Sequence, residues 1–216
     1  MRDISAMKAK KILHYFADPM CSWCWGFAPI ISELHRSCDD HATLIIVTGG
    51  LRAGETRPMN DQTKDFIRQH WQAVEAATGQ PFSYAFFERE GFVYDTALAC
   101  RGVVAMRGLA PDLALDYFKT VQHAFYVENQ DVTDMIVLAE LAERFDVTPE
   151  QFLAAYTATD TGEALLEDFR TTQALGVPGF PAVLLQDASG FTPLTAGYHS
   201  LEELKPALDR WLAGQN

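Results

Sequence analysis

The chain has 216 residues, of which 48% are apolar, and it carries a formal net charge of −12 with an isoelectric point near 4.8. This length suits one large domain or one domain with an insertion, and the apolar fraction is sufficient for a buried core. The acidic balance leaves no basic face to neutralise phosphates, which argues against nucleic acid or an anionic membrane as a partner.

Neither the start of the chain nor any later segment has the pattern of a targeting or membrane-spanning sequence. Residues 1–11 carry charges but no apolar core of a signal peptide, and the apolar stretch at residues 12–16 is too short to be one. We therefore expect a cytoplasmic location, where most thiols are kept reduced. Four cysteines in that compartment do not form a disulfide framework, so a close cysteine pair is expected to be catalytic or to bind a metal.

The first part of the chain predicts a strand, a helix and a second strand. Residues 11–17 are aromatic and aliphatic and end at Asp18-Pro19, whereas residues 25–38 place apolar side chains at helical spacing. Residues 43–48 have the composition of a buried strand and are followed by Gly49-Gly50. The strands of such a βαβ unit are expected to be parallel.

A helical block at residues 61–156 separates this unit from a second mixed segment. That segment contains a predicted helix at 165–175, two antiparallel strands at 182–186 and 191–196, and a final helix that begins with a capping box at Ser200. Without the helical block, the order is β-α-β-α-β-β-α, which is the thioredoxin layout. The predicted fold is α/β, a thioredoxin fold with a large helical insertion: residues 10–57 and 158–216 form the thioredoxin-like domain, and residues 58–157 form the inserted helical domain.

The segment Cys21-Ser22-Trp23-Cys24 lies between the first strand and the first helix. A cysteine at a helix N-terminus is stabilised as a thiolate, the attacking species in thiol exchange, by unpaired backbone N–H groups and the positive end of the helix dipole. Cys24, three residues later, is placed to attack the mixed disulfide formed at Cys21. We therefore interpret Cys21 and Cys24 as a redox pair, with Cys21 at the exposed helix start.

A zinc site is the main alternative for these cysteines, because Cys21, Cys24, His35 and Cys38 have spacings like those of a zinc finger. If residues 25–38 form a helix, His35 lies about 16 Å along the axis from Cys24, at 1.5 Å per residue. A single tetrahedral ion does not span that distance. The sequence therefore predicts no metal at this site.

Two segments resemble one known family. Residues 18–29, from Asp18-Pro19 to Pro29, resemble the active-site segment of the DsbA family, in the branch without a signal peptide that includes FrnE-like proteins. Residues 176–181, Gly-Val-Pro-Gly-Phe-Pro, resemble the family's cis-proline loop, and the inserted helical block also matches the family's architecture. The resemblance thus extends over essentially the whole chain.

This resemblance implies a role for four residues. Cys21 corresponds to the nucleophile, Cys24 to the resolving thiol, and Pro181 to the cis-proline that packs against the pair. Phe180 corresponds to the residue whose backbone binds an extended substrate segment by strand addition. The implied substrates are thiols and disulfides of proteins or peptides. No cofactor is implied beyond the Cys21–Cys24 disulfide, with glutathione as a candidate co-substrate.

The direction of exchange is a hypothesis. Ser22-Trp23 differs from the Pro-His of the strongly oxidising periplasmic members, so no histidine between the cysteines stabilises the Cys21 thiolate. A cytosolic glutathione poise of about −220 to −320 mV would hold most such pairs reduced. We therefore favour reduction or isomerisation of disulfides over their formation.

Two other functions fit parts of the sequence. The first is a glutathione-dependent transferase or isomerase of the kappa and hydroxychromene-carboxylate isomerase type, although those relatives have serine where Cys21 stands. The second is a peptide-binding chaperone without redox turnover, which would leave the cysteine spacing without a purpose.

Several nearby residues are open to more than one interpretation. Cys38 and Cys100 are expected to be buried, inert thiols, with a second redox pair as the alternative. Asp18 either acts on Cys21 as a neighbouring acid or caps the start of the helix. Trp23 and Trp25, like the nearby Phe27, either form an apolar surface for substrates or belong to the core.

Overall fold

The computed structural model describes residues 11–215. The predicted ends of the thioredoxin-like domain, residues 10 and 216, lie outside this range, as do residues 1–10 of the charge-bearing start of the chain. Within it, the chain forms four strands and eight α-helices. In chain order they are β1 Lys11–Ala17, α1 Ser22–Cys38, β2 Ala42–Thr48, α2 Asp61–Thr78, α3 Thr96–Leu109, α4 Ala114–Tyr126, α5 Met135–Ala142, α6 Pro149–Thr157, α7 Thr159–Ala174, β3 Ala182–Asp187, β4 Gly190–Ala196 and α8 Leu201–Leu212.

The four strands form one sheet in the order β2-β1-β3-β4. β1 is parallel to β2, with Tyr15 opposite Ile46, and antiparallel to β3, with Tyr15 opposite Val183. β3 and β4 form the antiparallel hairpin predicted from the sequence. Because β1 and β2 are parallel, their carboxyl ends meet at one edge of the sheet. The cysteine segment follows β1 directly at that edge, and so does the Gly49-Gly50 loop after β2.

Helix α1 begins three residues before the predicted start, because Cys21 occupies its N-cap position with extended backbone. The helix continues past the internal Pro29, which is exposed, and ends at Cys38. It places Cys24, Phe27 and seven other residues in the buried core. The long helix assumed in weighing zinc is therefore present. Among the described residues, no cluster of three or more His, Cys, Asp or Glu side chains is arranged to hold a metal ion.

The sheet and the helical block share a core. Tyr15 of β1 packs edge-on against Phe118 of α4, with ring centroids 5.8 Å apart. Further into the block, Trp71 of α2 packs against Phe125 and Tyr126 of α4. These residues belong to one continuous apolar cluster. The division into a thioredoxin-like domain and an inserted helical domain stays a prediction, since the two parts are not separated by a gap in the core.

Helix α7 begins at Thr159, six residues before the predicted start at residue 165. Its buried Asp168 forms a bidentate ion pair with Arg107 of α3, at 2.9 and 3.0 Å, and accepts hydrogen bonds from the backbone N–H and hydroxyl of Thr48 in β2. Arg107 also donates to the carbonyl of Ile46. This network joins α3 and α7 to the edge strand β2.

The capping box predicted at Ser200 is confirmed, and helix α6 begins with a second one at Thr148. Thr148 at the start of α6 and Ser200 at the start of α8 each accept a hydrogen bond from the backbone three residues later, and the reciprocal side-chain bonds are also present. His14 alternates with apolar residues in β1 and its Nε2 lies 2.7 Å from Oε1 of Gln186, which agrees with a structural role. Over residues 11–215, none of the helices combines the length and apolar character needed to cross a bilayer.

Candidate active site

Cys21 lies where strand β1 turns into helix α1. Its backbone N–H donates to the carbonyl of Asp18 at 3.0 Å, and as the N-cap residue it has no side-chain capping bond of its own. The thiol is therefore free to face the neighbouring loop, where it donates to the carbonyl of Phe180 over 3.6 Å. The expectation of an exposed helix start needs correction. Only 5% of Cys21 is accessible, because the Phe180 loop and the residues around it cover this end of the helix.

Cys24 lies one turn into α1, completely buried. Both cysteines are free thiols in this structure. Burial raises the pKa of the Cys24 thiol well above its usual value, and the neighbouring Cys21 adds to the rise. The two sulfurs therefore differ in access: Cys21 lines a surface pocket, whereas Cys24 is completely buried and does not line it. This difference is what thiol exchange requires of an attacking and a resolving residue.

The Phe180–Pro181 peptide bond is cis, and the loop that contains it runs directly into β3. The Pro181 carbonyl accepts a hydrogen bond from the N–H of Gly197 at 2.8 Å, which ties the loop to the end of β4. The sheet thus positions the Phe180 carbonyl against the Cys21 thiol. The strand-addition role of Phe180 remains a prediction.

Gly49 gives this loop its shape, because a Cβ atom built on Gly49 would lie 1.8 Å from Cζ of Phe180. We expect Gly49→Ala to push the Phe180 ring and its carbonyl away from Cys21 and to lower the rate of disulfide exchange about tenfold or more, since displacements of the order of 1 Å can reduce rates a hundredfold. The measurement is the initial rate of insulin reduction. Gly108→Ala is the control, because its Cβ would meet no atom within 4 Å. Equal rates in the two variants would contradict this account of the loop.

Asp18 is completely buried and accepts hydrogen bonds from the backbone on both sides of the site. The donors are the N–H of Met20 at 2.8 Å and the N–H of Leu51 at 2.7 Å. The Cys100 thiol lies 3.5 Å from Oδ2 of Asp18, and the Thr96 hydroxyl also donates to the carboxylate. Asp18 lies outside the N-cap position, which Cys21 occupies, so the interpretation of Asp18 as the helix cap is wrong. Its action on Cys21 as a neighbouring acid stays a prediction.

A pocket of about 390 Å³ opens beside Cys21. Its walls come from the cysteine segment, the loop after β2, helix α2 and the Phe180 loop. Two basic side chains, Arg52 and His70, line it together with exposed apolar ones, Leu51 and Phe66. The guanidinium of Arg52 lies over the Tyr94 ring, 5.6 Å from its centroid. Within residues 11–215, no carboxylate forms an ion pair with Arg52.

The sequence did not identify Arg52, His70 or Tyr94 as site residues. The Gly49-Gly50 turn was a usable signal for Arg52, because a loop that follows a strand parallel to β1 emerges beside the cysteine segment. His70 and Tyr94 carry no such signal, since their position depends on how the helical block packs.

The other predicted neighbours divide between core and surface. Trp25 and Phe27 are core residues. Trp23 is half-buried, and its ring packs against that of Tyr198 with the ring centroids 5.7 Å apart. Cys38 is buried, and burial raises its pKa to about 11, as expected for an inert thiol. Cys100 is buried as well, but it lies against Asp18.

Solved structures with the same architecture include two that the chain matches along nearly its whole length. One is a Nitrosomonas europaea protein provisionally described as a protein disulfide isomerase, with a TM-score of 0.90, 35% sequence identity, and coverage of 96% of this chain and 100% of the other. Another is the cytosolic disulfide reductase DsbM from Pseudomonas aeruginosa, with a TM-score of 0.73, 25% identity, and coverage of 94% and 96%. The same protein has also been solved with GSH.

Curated relatives are more distant. The ClpXP adapter protein SpxH of Bacillus subtilis is 22% identical over 79% of this chain, and the SpxH protein of Halalkalibacterium halodurans is 22% identical over 78%. The chain spans 56% of the length of each of these two relatives.

The family model described as a DSBA-like thioredoxin domain matches residues 12–209. This match confirms both the predicted thioredoxin-type fold and the resemblance inferred from the cysteine segment and the Phe180-Pro181 loop. The fold is that of the DsbA-like thiol–disulfide oxidoreductases, and the chain belongs to the DSBA-like thioredoxin domain family.

Proposed function

We propose that this protein is a thiol–disulfide oxidoreductase that works through Cys21 and Cys24 and acts mainly as a reductase or isomerase. One observation carries the proposal: Cys21 occupies the N-cap position of helix α1 and its thiol faces the Phe180 carbonyl, with the buried Cys24 one turn behind it. This arrangement provides an attacking sulfur, a backbone group for the substrate, and a second sulfur within reach of the first.

The proposed reaction transfers two electrons from the pair to the substrate. The Cys21 thiolate attacks one sulfur of the substrate disulfide, forms a mixed disulfide and releases the other sulfur as a thiolate. Cys24 then loses its proton and attacks the Cys21 sulfur, which closes the Cys21–Cys24 disulfide and releases the second substrate thiolate. Two further thiols, themselves oxidised to a disulfide, return the pair to its reduced form.

Two findings support the reductive direction. No histidine lies between the cysteines, so within α1 only the helix dipole and the backbone N–H groups stabilise the Cys21 thiolate. The similar Pseudomonas aeruginosa structure is described as a cytosolic disulfide reductase. The same description supports the cytoplasmic location expected from the sequence, which stays a prediction.

Insulin reduction and the refolding of scrambled ribonuclease test this proposal. We expect the wild-type protein to perform both. Cys24→Ser should lose insulin reduction, which needs both thiols, while retaining part of the ribonuclease activity, because isomerisation needs only an attacking thiol. A wild-type protein inactive in both assays would contradict the proposed function.

We further propose that an anionic low-molecular-weight thiol, with glutathione as the candidate, reduces the oxidised pair. Arg52 lines the Cys21 pocket and has no ion-pair partner within residues 11–215, in a protein whose net charge is −12. A carboxylate in the pocket would give this guanidinium a charge-assisted hydrogen bond. The structure of the Pseudomonas aeruginosa reductase with GSH supports the same class of ligand.

Arg52→Met tests this role. We expect the apparent KM for glutathione disulfide to rise about tenfold, or about 1.4 kcal/mol of binding, while the rate with the uncharged hydroxyethyl disulfide stays within about twofold. Arg57→Met is the matched control, because Arg57 is exposed and already pairs with Glu55. If Arg52→Met lost activity equally with the charged and the uncharged disulfide, Arg52 would have no role in recognising the substrate's charge.

A protein-binding role without turnover is the second candidate. It is favoured by the adapter function in the name of the curated relatives and by the exposed Leu51 and Phe66 at the pocket rim. A Cys21→Ser, Cys24→Ser double variant that still suppresses aggregation of a substrate protein would support it. The glutathione-dependent transferase is a separate alternative. It would be supported if a variant without the Cys24 thiol still conjugated glutathione to a chlorodinitrobenzene-type electrophile.

A further inference from the structure

A mixed disulfide presents two different sulfurs to Cys21, and the surroundings of Cys21 decide which of them is attacked. The attacked sulfur stays on the enzyme, whereas the other sulfur leaves as a thiolate. Cys21 lines a pocket whose rim carries the exposed side chains of Leu51 and Phe66. A substrate half that fills this pocket brings its own sulfur to Cys21 and leaves the other half outside.

The pocket has the size of a small-molecule site. Its volume is about 390 Å³, near the low end of the range of about 300–1,000 Å³ that is usual for small ligands. The buried side chains of Ile67, Trp71 and Tyr94 form part of its wall. A folded protein does not enter a space of this size, whereas a short peptide-like thiol does.

The charges that line the pocket favour an anionic ligand. Arg52 and His70 belong to its wall, and no Asp or Glu of the described residues does, although the whole chain has a net charge of −12. The N-terminus of α1 at Cys21 adds the positive end of a helix dipole. A cleft lined by one sign of charge concentrates ligands of the opposite sign.

Arg52 is held in the pocket by contacts that lead to the cysteine segment. Its backbone N–H donates to the Thr96 hydroxyl at 3.0 Å, and its guanidinium lies over the Tyr94 ring, 5.6 Å from the centroid. The Tyr94 hydroxyl in turn donates to the carbonyl of Met20, the residue before Cys21, at 2.7 Å. The guanidinium is thus fixed beside the attacking sulfur, with its N–H groups available to a carboxylate.

His70 provides a second polar group, on helix α2. Its Nδ1 lies 2.9 Å from the carbonyl of Phe66, one turn earlier, and the two rings pack with their centroids 4.3 Å apart. Nδ1 therefore carries the proton that is donated to this carbonyl, and Nε2 is left for a ligand. Nε2 accepts from an ammonium group when the ring is neutral and donates to a carboxylate when the ring is charged.

Glutathione has the groups that this pocket can bind. It is a small thiol with a carboxylate at each end and an ammonium group beside one of them. Arg52 offers a partner to one end of the molecule and His70 to the other. Because glutathione also forms mixed disulfides with protein thiols, the pocket distinguishes the two halves of such a disulfide by size and by charge.

We propose that the pocket binds the glutathione half of mixed disulfides between glutathione and protein thiols, so that the enzyme removes glutathione from modified proteins. The inference rests on the proposed function, in which Cys21 is the attacking thiol, and it names the sulfur that Cys21 attacks. The protein half of the substrate stays outside, at the apolar rim formed by Leu51 and Phe66.

The proposed reaction uses Cys21 and a second glutathione. The Cys21 thiolate attacks the glutathione sulfur, a Cys21–glutathione disulfide forms, and the bond to the protein sulfur breaks. The protein leaves as a thiolate and takes up a proton from water. A second glutathione thiolate then attacks the glutathione sulfur on Cys21, which forms glutathione disulfide and frees the Cys21 thiolate. The protein sulfur is reduced and the second glutathione is oxidised. Cys24 is not required, which agrees with its burial away from the pocket.

A mixed disulfide between glutathione and a cysteine-containing peptide shows which half Cys21 takes. The Cys24→Ser variant would be mixed with this disulfide and quenched with acid at early times, and the adduct on Cys21 would be identified by mass spectrometry. N-acetylcysteine, a thiol without a pocket, gives the intrinsic ratio of glutathione adduct to peptide adduct. We expect the ratio on Cys21 to exceed this reference at least about tenfold, the effect of one charge-assisted hydrogen bond.

Two changes remove the charge recognition, one from the ligand and one from the protein. Glutathione diethyl ester, in the same peptide disulfide, lacks both carboxylates and leaves the protein unaltered. Arg52→Met, in the Cys24→Ser background, removes the guanidinium. Each should bring the ratio to within about threefold of the reference. Arg57→Met is the control, because Arg57 is exposed and pairs with Glu55, and it should keep the high ratio. If Arg52→Met does not fold, the ester comparison decides.

The outcomes separate this inference from the proposed function. If the Cys24→Ser variant forms no adduct on Cys21 with any disulfide, the proposed function itself is overturned. If adducts form in the reference ratio, or mainly with the peptide, the preference for the glutathione half is overturned and the oxidoreductase function stands. A high ratio that the diethyl ester does not lower would likewise overturn recognition of glutathione by the charged pocket.

Discussion

Replacing Cys21 by serine is expected to lower the rate of insulin reduction at least about a thousandfold, because the hydroxyl group is not ionised near neutral pH and removing a covalent nucleophile has effects of this size or larger. The substitution is nearly isosteric. The serine hydroxyl can donate to the Phe180 carbonyl that the thiol faces, so the fold should tolerate the substitution. Loss of activity would then reflect chemistry rather than unfolding, which circular dichroism of the variant would verify.

Cys38→Ala is the matched control for this experiment. Cys38 lies in the same helix and is also buried, but it is at the far end of α1 and has no contact with the Phe180 loop. We expect this variant to keep the wild-type rate with a modest loss of stability. If Cys21→Ser retained full activity, or if Cys38→Ala lost it, the assignment of the nucleophile would be wrong.

Removing the acid of the Arg107–Asp168 pair is expected to have the largest effect on stability. Asp168→Asn leaves a guanidinium among buried groups without its counter-charge, and breaking a buried pair in this way costs about 3–5 kcal/mol. Arg107 keeps 21% of its side chain exposed, so solvent compensates part of the loss and we expect about 2–4 kcal/mol. For a chain of this length, Tm should fall by about 5–15 °C.

An exposed ion pair on the same helix provides the comparison. Glu167 and Arg170 lie 3.4 Å apart, with 67% and 69% of their side chains exposed. Glu167→Gln should change stability by less than about 0.5 kcal/mol. Thermal unfolding of both variants measures the difference. Similar Tm values for the two would show that the buried network does not hold α3 and α7 to the sheet.

Much of the fold was predictable, because local signals in this sequence agree with one another. The aromatic and aliphatic run of β1, the Gly49-Gly50 turn and the capping boxes at Thr148 and Ser200 each specify an element through nearby residues alone. The start of α7 was placed six residues late, since residues 159–164 carry few apolar side chains. Packing of α7 against β2 and α3, a tertiary effect, extends this helix beyond its periodic part.

The candidate site was predictable where it follows a strand and less so where it depends on packing. The sequence identified Cys21 and Cys24 and placed Phe180-Pro181 beside them. It placed Cys21 on an exposed surface, because the covering of the helix start by the Phe180 loop has no local signal. Arg52 lies 34 residues after Asp18, and Cys100 lies 82 residues after it. Only the folded chain brings these residues to the cysteine segment.

A redox titration tests the central claim most directly. The protein would be equilibrated in a series of glutathione buffers, its free thiols trapped by alkylation under denaturing conditions, and its disulfides located by peptide mass spectrometry. We predict one two-electron transition that joins Cys21 to Cys24, with a midpoint more negative than about −120 mV, while Cys38 and Cys100 stay reduced. The absence of a Cys21–Cys24 disulfide in every buffer would contradict the claim that these two residues form a redox pair.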